Sequence, residues 1–78
     1  MIDFHDVIKR VNQILSQQTQ TPKIRDRDIA KALNLTPAYF AVIKKRQKIP
    51  YMHLALFCHK HHISMNWILM AQKPQYLT

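Results

Sequence analysis

The side chains with the most evident chemistry are cations gathered near the middle of the chain. Lys44, Lys45, Arg46 and Lys48 lie within five residues of one another. Ammonium and guanidinium groups at this density bind polyanions, above all the phosphates of nucleic acids. Cations at the C-terminal end of a helix also interact favourably with the helix dipole. Since the dipole alone does not require four cations, phosphate contact is the favoured interpretation and a solvated helix end is the alternative.

The charge of the whole chain supports a polyanionic partner. Twelve Lys and Arg stand against four Asp and Glu, so the net charge is +8. The four acids all lie in the first 28 residues: Asp3, Asp6, Asp26 and Asp28. A small domain charged so unevenly binds a polyanion or tolerates strong self-repulsion. Nucleic acid is the leading candidate. A membrane surface is disfavoured, because the basic residues do not lie opposite a long apolar helix face.

A second group of reactive side chains, Cys58, His59, His61 and His62, invites a metal interpretation. Zinc sites usually take ligands from two elements, and no second pair at zinc-finger spacing exists. Cys58 follows Phe57 on the expected core face, where a free cysteine behaves as a small hydrophobe. We therefore predict no metal and no cofactor.

Length and composition exclude several classes of protein. Seventy-eight residues form one small core, and the apolar runs are far shorter than a membrane span. No signal peptide opens the chain, and a single cysteine fits a reducing cytosol, so we expect a cytoplasmic protein. The acids do not pair on a common face and no nucleophile stands beside a base, so we expect no enzyme.

Helix caps and prolines divide the chain into five helical stretches, and no segment alternates for long enough to be a strand. The predicted helices cover roughly 4–18, 25–33, a stretch from Thr36-Pro37 to the basic run, a stretch from Ile49-Pro50 to about His61, and a short one after Ser64. Pro22 prevents continuation of the first. The predicted fold is all-α, a compact five-helix bundle. Residues 1–72 form the domain and 73–78 a tail or linker stub.

The most informative stretch is DRDIAKALNLTPAYFAVIKK, residues 26–45. Two helices joined by a short turn must pack closely, which requires a small residue at their contact, here Ala30. Asn34 is the residue best able to adopt positive φ in the turn, and Thr36 caps the next helix. Apolar residues anchor the helical pair: Ile29 and Leu33 lie before the turn, Leu35 lies in it, and Phe40 and Ile43 follow it.

This pattern resembles the helix-turn-helix of the lambda-repressor-like family. The continuation KKRQKIPYMHLALFCHKHHISMNWILM is similar to the phage repressor helix-turn-helix domain in particular. That group has a basic run and an Ile-Pro after the recognition helix, here Lys44–Pro50, and later a short segment with a Trp, here Ile63–Leu69. The resemblance covers roughly residues 5–71. Two mild departures are Asn34 and Ala71, where the family more often has Gly.

The resemblance implies that the third helix enters the major groove of DNA and that its first turn faces base edges. It carries base-reading roles to Pro37, Ala38 and Tyr39, and helical spacing adds Ala41, Val42 and Lys45. The methyl groups of Ala and Val can pack on thymine methyls, whereas Lys45 can reach guanine or a phosphate. The alternative for Ala41 and Val42 is a packing surface for another protein.

The remaining predicted site residues contact phosphates. They are Arg25, Arg27, Lys31, Thr36, Lys44, Arg46 and Lys48. Arg25, Arg27 and Lys31 belong to the second helix, which crosses the backbone in this fold, and ordinary solubility is their alternative explanation.

The resemblance thus predicts a sequence-specific regulator that binds double-stranded DNA as a homodimer, nucleoid-associated in a bacterial or phage-infected cell. Related repressors commonly carry a C-terminal oligomerisation domain. None lies in these residues, so the chain is an N-terminal fragment or a small stand-alone regulator. The competing prediction is a protein-interaction module, antitoxin-like or an adaptor, that uses the same helical pair.

Overall fold

The computed structural model describes residues 2–20 and 23–77. Within them the chain forms five helices and no strand: α1 Phe4–Thr19, α2 Asp26–Ala32, α3 Pro37–Arg46, α4 Tyr51–His61 and α5 Met65–Met70. The predicted all-α, five-helix bundle is confirmed. Pro22, which was expected to end the first helix, lies outside the described residues. No helix in the described ranges is long and apolar enough to cross a membrane.

Three of the five described helices, α1, α3 and α5, begin at a side chain that satisfies a free backbone N–H group. The Asp3 carboxylate accepts from the N–H of Asp6 at 3.1 Å at the start of α1. The Thr36 hydroxyl accepts from the N–H of Tyr39 at 3.1 Å at the start of α3. Ser64 caps α5 in the same manner. These three predicted N-caps are confirmed, and they determine where each helix starts.

The helices end without glycine. In the described part of the chain, five residues adopt positive φ between 54° and 59°: Gln20, Asn34, Gln47, His62 and Ala71. Asn34 confirms the expectation for the turn between α2 and α3. The N–H of Leu35 donates to the carbonyl of Ala30 at 2.8 Å, and that of Ile63 to the carbonyl of Cys58 at 2.8 Å. These bonds satisfy carbonyls at the ends of α2 and α4, and the two donor residues are themselves buried.

One apolar core unites all five helices. α1 packs on α2 and α5, α2 packs on α3, and α4 packs on α5. Ala30 is fully buried in the core cluster together with Phe40 and Ile43 of α3, as the need for a small residue at a close contact predicts. Trp67 is also buried, which confirms its assignment to the core rather than to a stacking surface. The core therefore holds α2 and α3 in one fixed arrangement.

A side chain from α1 closes the end of α5. The guanidinium of Arg10 donates from Nε to the carbonyl of Ile68 at 2.6 Å and from Nη2 to that of Leu69 at 2.9 Å. A short helix of this kind leaves its last carbonyls without partners. Arg10 supplies both hydrogen bonds and positive charge at the negative end of the helix dipole.

The segment after α5 returns along the bundle. The N–H of Ser64 donates to the carbonyl of Gln75 at 2.9 Å, and the N–H of Leu77 donates to that of His62 at 2.7 Å. An isolated antiparallel bridge pairs Ile63 with Tyr76. The residues interpreted as a tail or linker stub thus lie, through Leu77, against the start of α5.

Candidate nucleic-acid interface

The surface of α3 divides into a buried and an exposed face. Phe40 and Ile43 point into the core. The six residues predicted to read bases are all exposed: Pro37, Ala38, Tyr39, Ala41, Val42 and Lys45. Tyr39 and Val42 each keep 45% of their surface exposed, which is high for large apolar side chains. The core leaves this face of α3 without a partner within the described chain.

The chemistry of this exposed face is mostly apolar. The alanine and valine side chains carry methyl groups and neither donate nor accept hydrogen bonds. The Tyr39 hydroxyl can do both, and the Lys45 ammonium carries three donors. A surface of this kind can pack on methyl groups of a partner and donate hydrogen bonds to a few acceptor atoms.

A groove of about 410 Å³ runs beside this face. It is lined by His5 of α1, Asp26 and Arg27 of α2, and Pro37, Phe40, Ala41, Lys44 and Lys45 of α3. Three predicted DNA-contacting cations, Arg27, Lys44 and Lys45, therefore meet around one depression. The packing of α2 on α3 brings them together, because Arg27 is distant from the other two in the chain.

One of these cations already has a partner. The ammonium of Lys44 lies 2.5 Å from a carboxylate oxygen of Asp26, and the two side chains are 46% and 58% exposed. An exposed pair of this kind contributes little to stability. It does change the local charge, because Asp26 compensates Lys44, whereas among the described residues no ion pair involves Arg27 or Lys45. A phosphate approaching Lys44 competes with Asp26.

The remaining predicted phosphate contacts are spread more widely. Arg27 and Lys31 line a neighbouring groove with an acid, Asp28, and with Asn34, Leu35 and Pro37. Arg25, Arg46 and Lys48 are exposed but line neither groove. The backbone of Lys48 is held by a bond from its N–H to the carbonyl of Ile43 at 2.9 Å. Thr36 is exposed, and its hydroxyl oxygen caps α3.

Two members of the cysteine and histidine cluster, Cys58 and His61, pack within the fold. Cys58 is buried, and this burial raises the pKa of its thiol to about 11, so the thiol stays protonated at neutral pH. His61 packs against Phe57 with ring centroids 4.5 Å apart, and its Nδ1 lies 2.8 Å from the amide nitrogen of Gln18. Burial, followed by the charges of Lys60 and His62, lowers the pKa of His61. Among the described residues no three His, Cys, Asp or Glu side chains are grouped to hold a metal ion.

Two features of the surface were not predicted from the sequence. His5 and Asp26 line the groove beside α3 although neither was assigned a role there. On α4, Met52 and Leu56 are 74% and 60% exposed, one helical turn apart. Helical periodicity places both on one face of α4, but only the packing of the bundle determines that this face is turned outward.

No protein-family model, no curated protein and no solved structure matches the chain, so comparison with known proteins identifies no family for it. The features that bear on function are therefore the geometry and charge of the surface around α3.

Proposed function

We propose that this protein is a sequence-specific, double-stranded-DNA-binding transcriptional regulator of the lambda-repressor-like helix-turn-helix type. The observation that carries the proposal is the exposed face of α3, which has no partner in the described chain and borders a groove lined by Arg27, Lys44 and Lys45. The net charge of +8 adds long-range attraction to a polyanion.

In this proposal α3 lies in the major groove and its exposed side chains read base edges. Ala38, Ala41 and Val42 pack on thymine methyl groups, which are the apolar feature of that groove. Tyr39 supplies a hydroxyl that donates or accepts, and Lys45 reaches the acceptors of guanine or a phosphate. The preference expected from this composition is for sites rich in thymine at the positions facing Val42.

Affinity comes from the cations around α3. Lys48 and Arg46 lie where the chain leaves α3 and passes the sugar-phosphate backbone, whereas Arg27 and Lys31 approach it from α2. Such contacts bind any sequence and release counterions, so their number sets the dependence on salt.

A single α3 reads few base pairs, so we propose that a homodimer binds two half-sites about one helical turn apart. The proposal places the protein in the cytoplasm of a bacterial or phage-infected cell, associated with the nucleoid. It assigns no catalytic activity.

The test has two parts. Selection of bound sequences from random duplex DNA identifies a site, and titrations of this site and a scrambled duplex at several salt concentrations compare two variants. Lys48→Ala should weaken binding to both duplexes by the same factor and reduce the logarithmic salt slope by about one. Val42→Ser should reduce the binding free energy by about 1–3 kcal/mol, and this loss should depend on the base at one position of the selected site only.

The opposite assignments would refute the docking geometry. If Lys48→Ala changed sequence preference, or Val42→Ser weakened both duplexes equally, α3 would not read bases as proposed.

The alternative is a protein-interaction module that uses the same helical pair. The observation that favours it is the exposure of Tyr39 and Val42 on a mostly apolar face. Association through apolar contacts depends weakly on salt, whereas DNA binding weakens steeply as the salt concentration rises. Binding that persists at high salt would therefore favour the alternative.

A further inference from the structure

The position of His5 beside α3 has a clear structural origin. Phe4, the preceding residue, is buried with its ring centroid 6.5 Å from that of Phe40 on α3. This contact anchors the first turn of α1 on the inner face of α3. His5 is exposed and lines the groove with Arg27 and Lys45. The core therefore places a histidine from the start of the chain beside cations that lie much later in it.

The lining of this groove is chemically mixed. Its walls include the apolar surfaces of Pro37, Phe40 and Ala41, and its cations come from α2 and α3. A sugar-phosphate strand has the same mixture, since deoxyribose carries apolar C–H groups and each phosphate carries a negative charge. A free inorganic anion matches the cations only.

The groove also lies where a strand would pass. Pro37, Ala41 and Lys45 belong both to the groove lining and to the face proposed to read bases. A helix in the major groove is flanked by two sugar-phosphate strands across a width of about 12 Å. The strand on the side of α1 and α2 would then lie along this groove.

We propose that His5 is a DNA-backbone contact, which in its protonated form donates to a phosphate seated in the groove beside α3. This inference rests on the proposed function and adds to it a residue from α1 and a dependence on pH. Histidine gains a positive charge as the pH falls from 8 towards 5. A bound phosphate favours that charged form, so binding of DNA is coupled to uptake of a proton.

The charged side chains that line the groove with His5 come from two helices. The cations are Arg27 of α2 and Lys44 and Lys45 of α3, and the acid is Asp26 of α2. Asp3, which precedes α1, and Asp6 of α1 line a different groove, together with Arg10. A phosphate in the groove compensates the cations, and so it favours the charged imidazole.

The experiment measures binding of the selected duplex at pH 5.5 and pH 8.0 over a range of salt concentrations. It compares the parent chain with His5→Gln, His5→Arg and the control His59→Gln, which alters an exposed histidine of α4 that does not line the groove. Thermal unfolding of each variant verifies that the fold is retained.

For each protein, the quantity compared is the increase in the logarithmic salt slope between pH 8.0 and pH 5.5. This increase should be larger by about one for the parent and for His59→Gln than for His5→Gln. The affinity of the parent and of His59→Gln for the duplex should also rise between pH 8.0 and pH 5.5 by more than that of His5→Gln. His5→Arg should bind at pH 8.0 with the steeper slope, because its charge does not depend on pH.

Two results separate this inference from the proposed function. If the duplex binds and His5→Gln keeps the full pH difference of the parent, His5 is not a phosphate contact, and the proposed function is unaffected. If the parent binds no duplex DNA at low salt at either pH, the proposed function fails and this inference fails with it.

Discussion

Asp26 is the one acid among the residues that line the groove beside α3, and it is paired with Lys44. In the proposed complex a phosphate must compete with this carboxylate for the ammonium. Asp26 thus reduces the affinity of the surface for any polyanion. This sets a limit on non-specific binding, because phosphate contacts do not distinguish one sequence from another.

Asp26→Asn should therefore strengthen DNA binding, equally for selected and scrambled duplexes, and increase the salt slope by about one. The reason is that Lys44 becomes free to contact a phosphate. The matched control is Asp6→Asn, which changes the net charge by the same amount but alters a residue of a different groove. Titrations at several salt concentrations measure both. An equal gain in DNA affinity from the two variants would show that net charge alone, rather than the release of Lys44, determines the effect.

Arg10 illustrates a residue whose role is stability rather than binding. Its guanidinium joins α1 to the last carbonyls of α5. Arg10→Met should leave the carbonyls of Ile68 and Leu69 without these donors and lower the free energy of unfolding by about 1.5–3 kcal/mol. Urea unfolding measures the loss, and Lys9→Met, at an exposed neighbour on α1, should leave stability nearly unchanged. Equal effects of the two variants would contradict the capping role.

At the level of the helices, the C-terminal ends are unusual. The chain contains no glycine, yet each described helix is followed by a residue with positive φ. Residues with a Cβ lose about 1–2 kcal/mol in this conformation. Hydrogen bonds that close the ends of α2 to α5 offset part of that cost, and after α2 and α4 the burial of the next residue, Leu35 or Ile63, contributes as well. The helix ends therefore retain local strain that a single substitution can relieve.

The same substitution at two alanines should have opposite effects. Ala71→Gly should stabilise the fold by roughly 0.5–1 kcal/mol, because Ala71 has φ 58° after α5. Ala55→Gly should destabilise it by about 1 kcal/mol, because Ala55 is an exposed residue inside α4. Chemical denaturation measures both. If both variants were less stable than the parent, the strain at Ala71 would be negligible.

At the level of the whole molecule, the net charge of +8 acts on stability and on binding in opposite directions. Repulsion among the cations destabilises the compact state, and the same cations attract a polyanion. Salt screens both interactions, with a Debye length that falls from about 30 Å at 0.01 M to about 10 Å at 0.1 M.

Raising the sodium chloride concentration from about 0.01 M to above 0.1 M should raise the midpoint temperature of thermal unfolding and weaken DNA binding. A variant with Lys23→Gln and Lys73→Gln lowers the net charge from +8 to +6 at positions outside the proposed site. It should show a smaller salt effect on the midpoint. A midpoint that fell as salt rose would mean that attractive ion pairs, rather than repulsion, dominate the folded state.

The sequence by itself determined the helices and the one turn whose left-handed residue is asparagine. Asp3, Thr36 and Ser64 act on backbone groups within three residues, and helical periodicity separates the buried Phe40 and Ile43 from the rest of α3. Such signals are local, so they can be read before the fold is known. The positive φ values of Gln20, Gln47, His62 and Ala71 were not readable in this way. Gln and Ala do not favour that conformation, and the enrichment of His in it is too small to predict a helix end. At Gln47, His62 and Ala71 it occurs together with backbone hydrogen bonds that close the helix.

Only the tertiary structure decided which distant residues meet. The pairing of Asp26 with Lys44, the contact of Arg10 with α5 and the place of His5 in the groove all join residues from different helices. Their proximity depends on how the core positions α1 against α3 and α5, which no local pattern specifies. The sequence identified the cations and the face of α3. Packing decided which of those cations share a groove and which one an acid already neutralises.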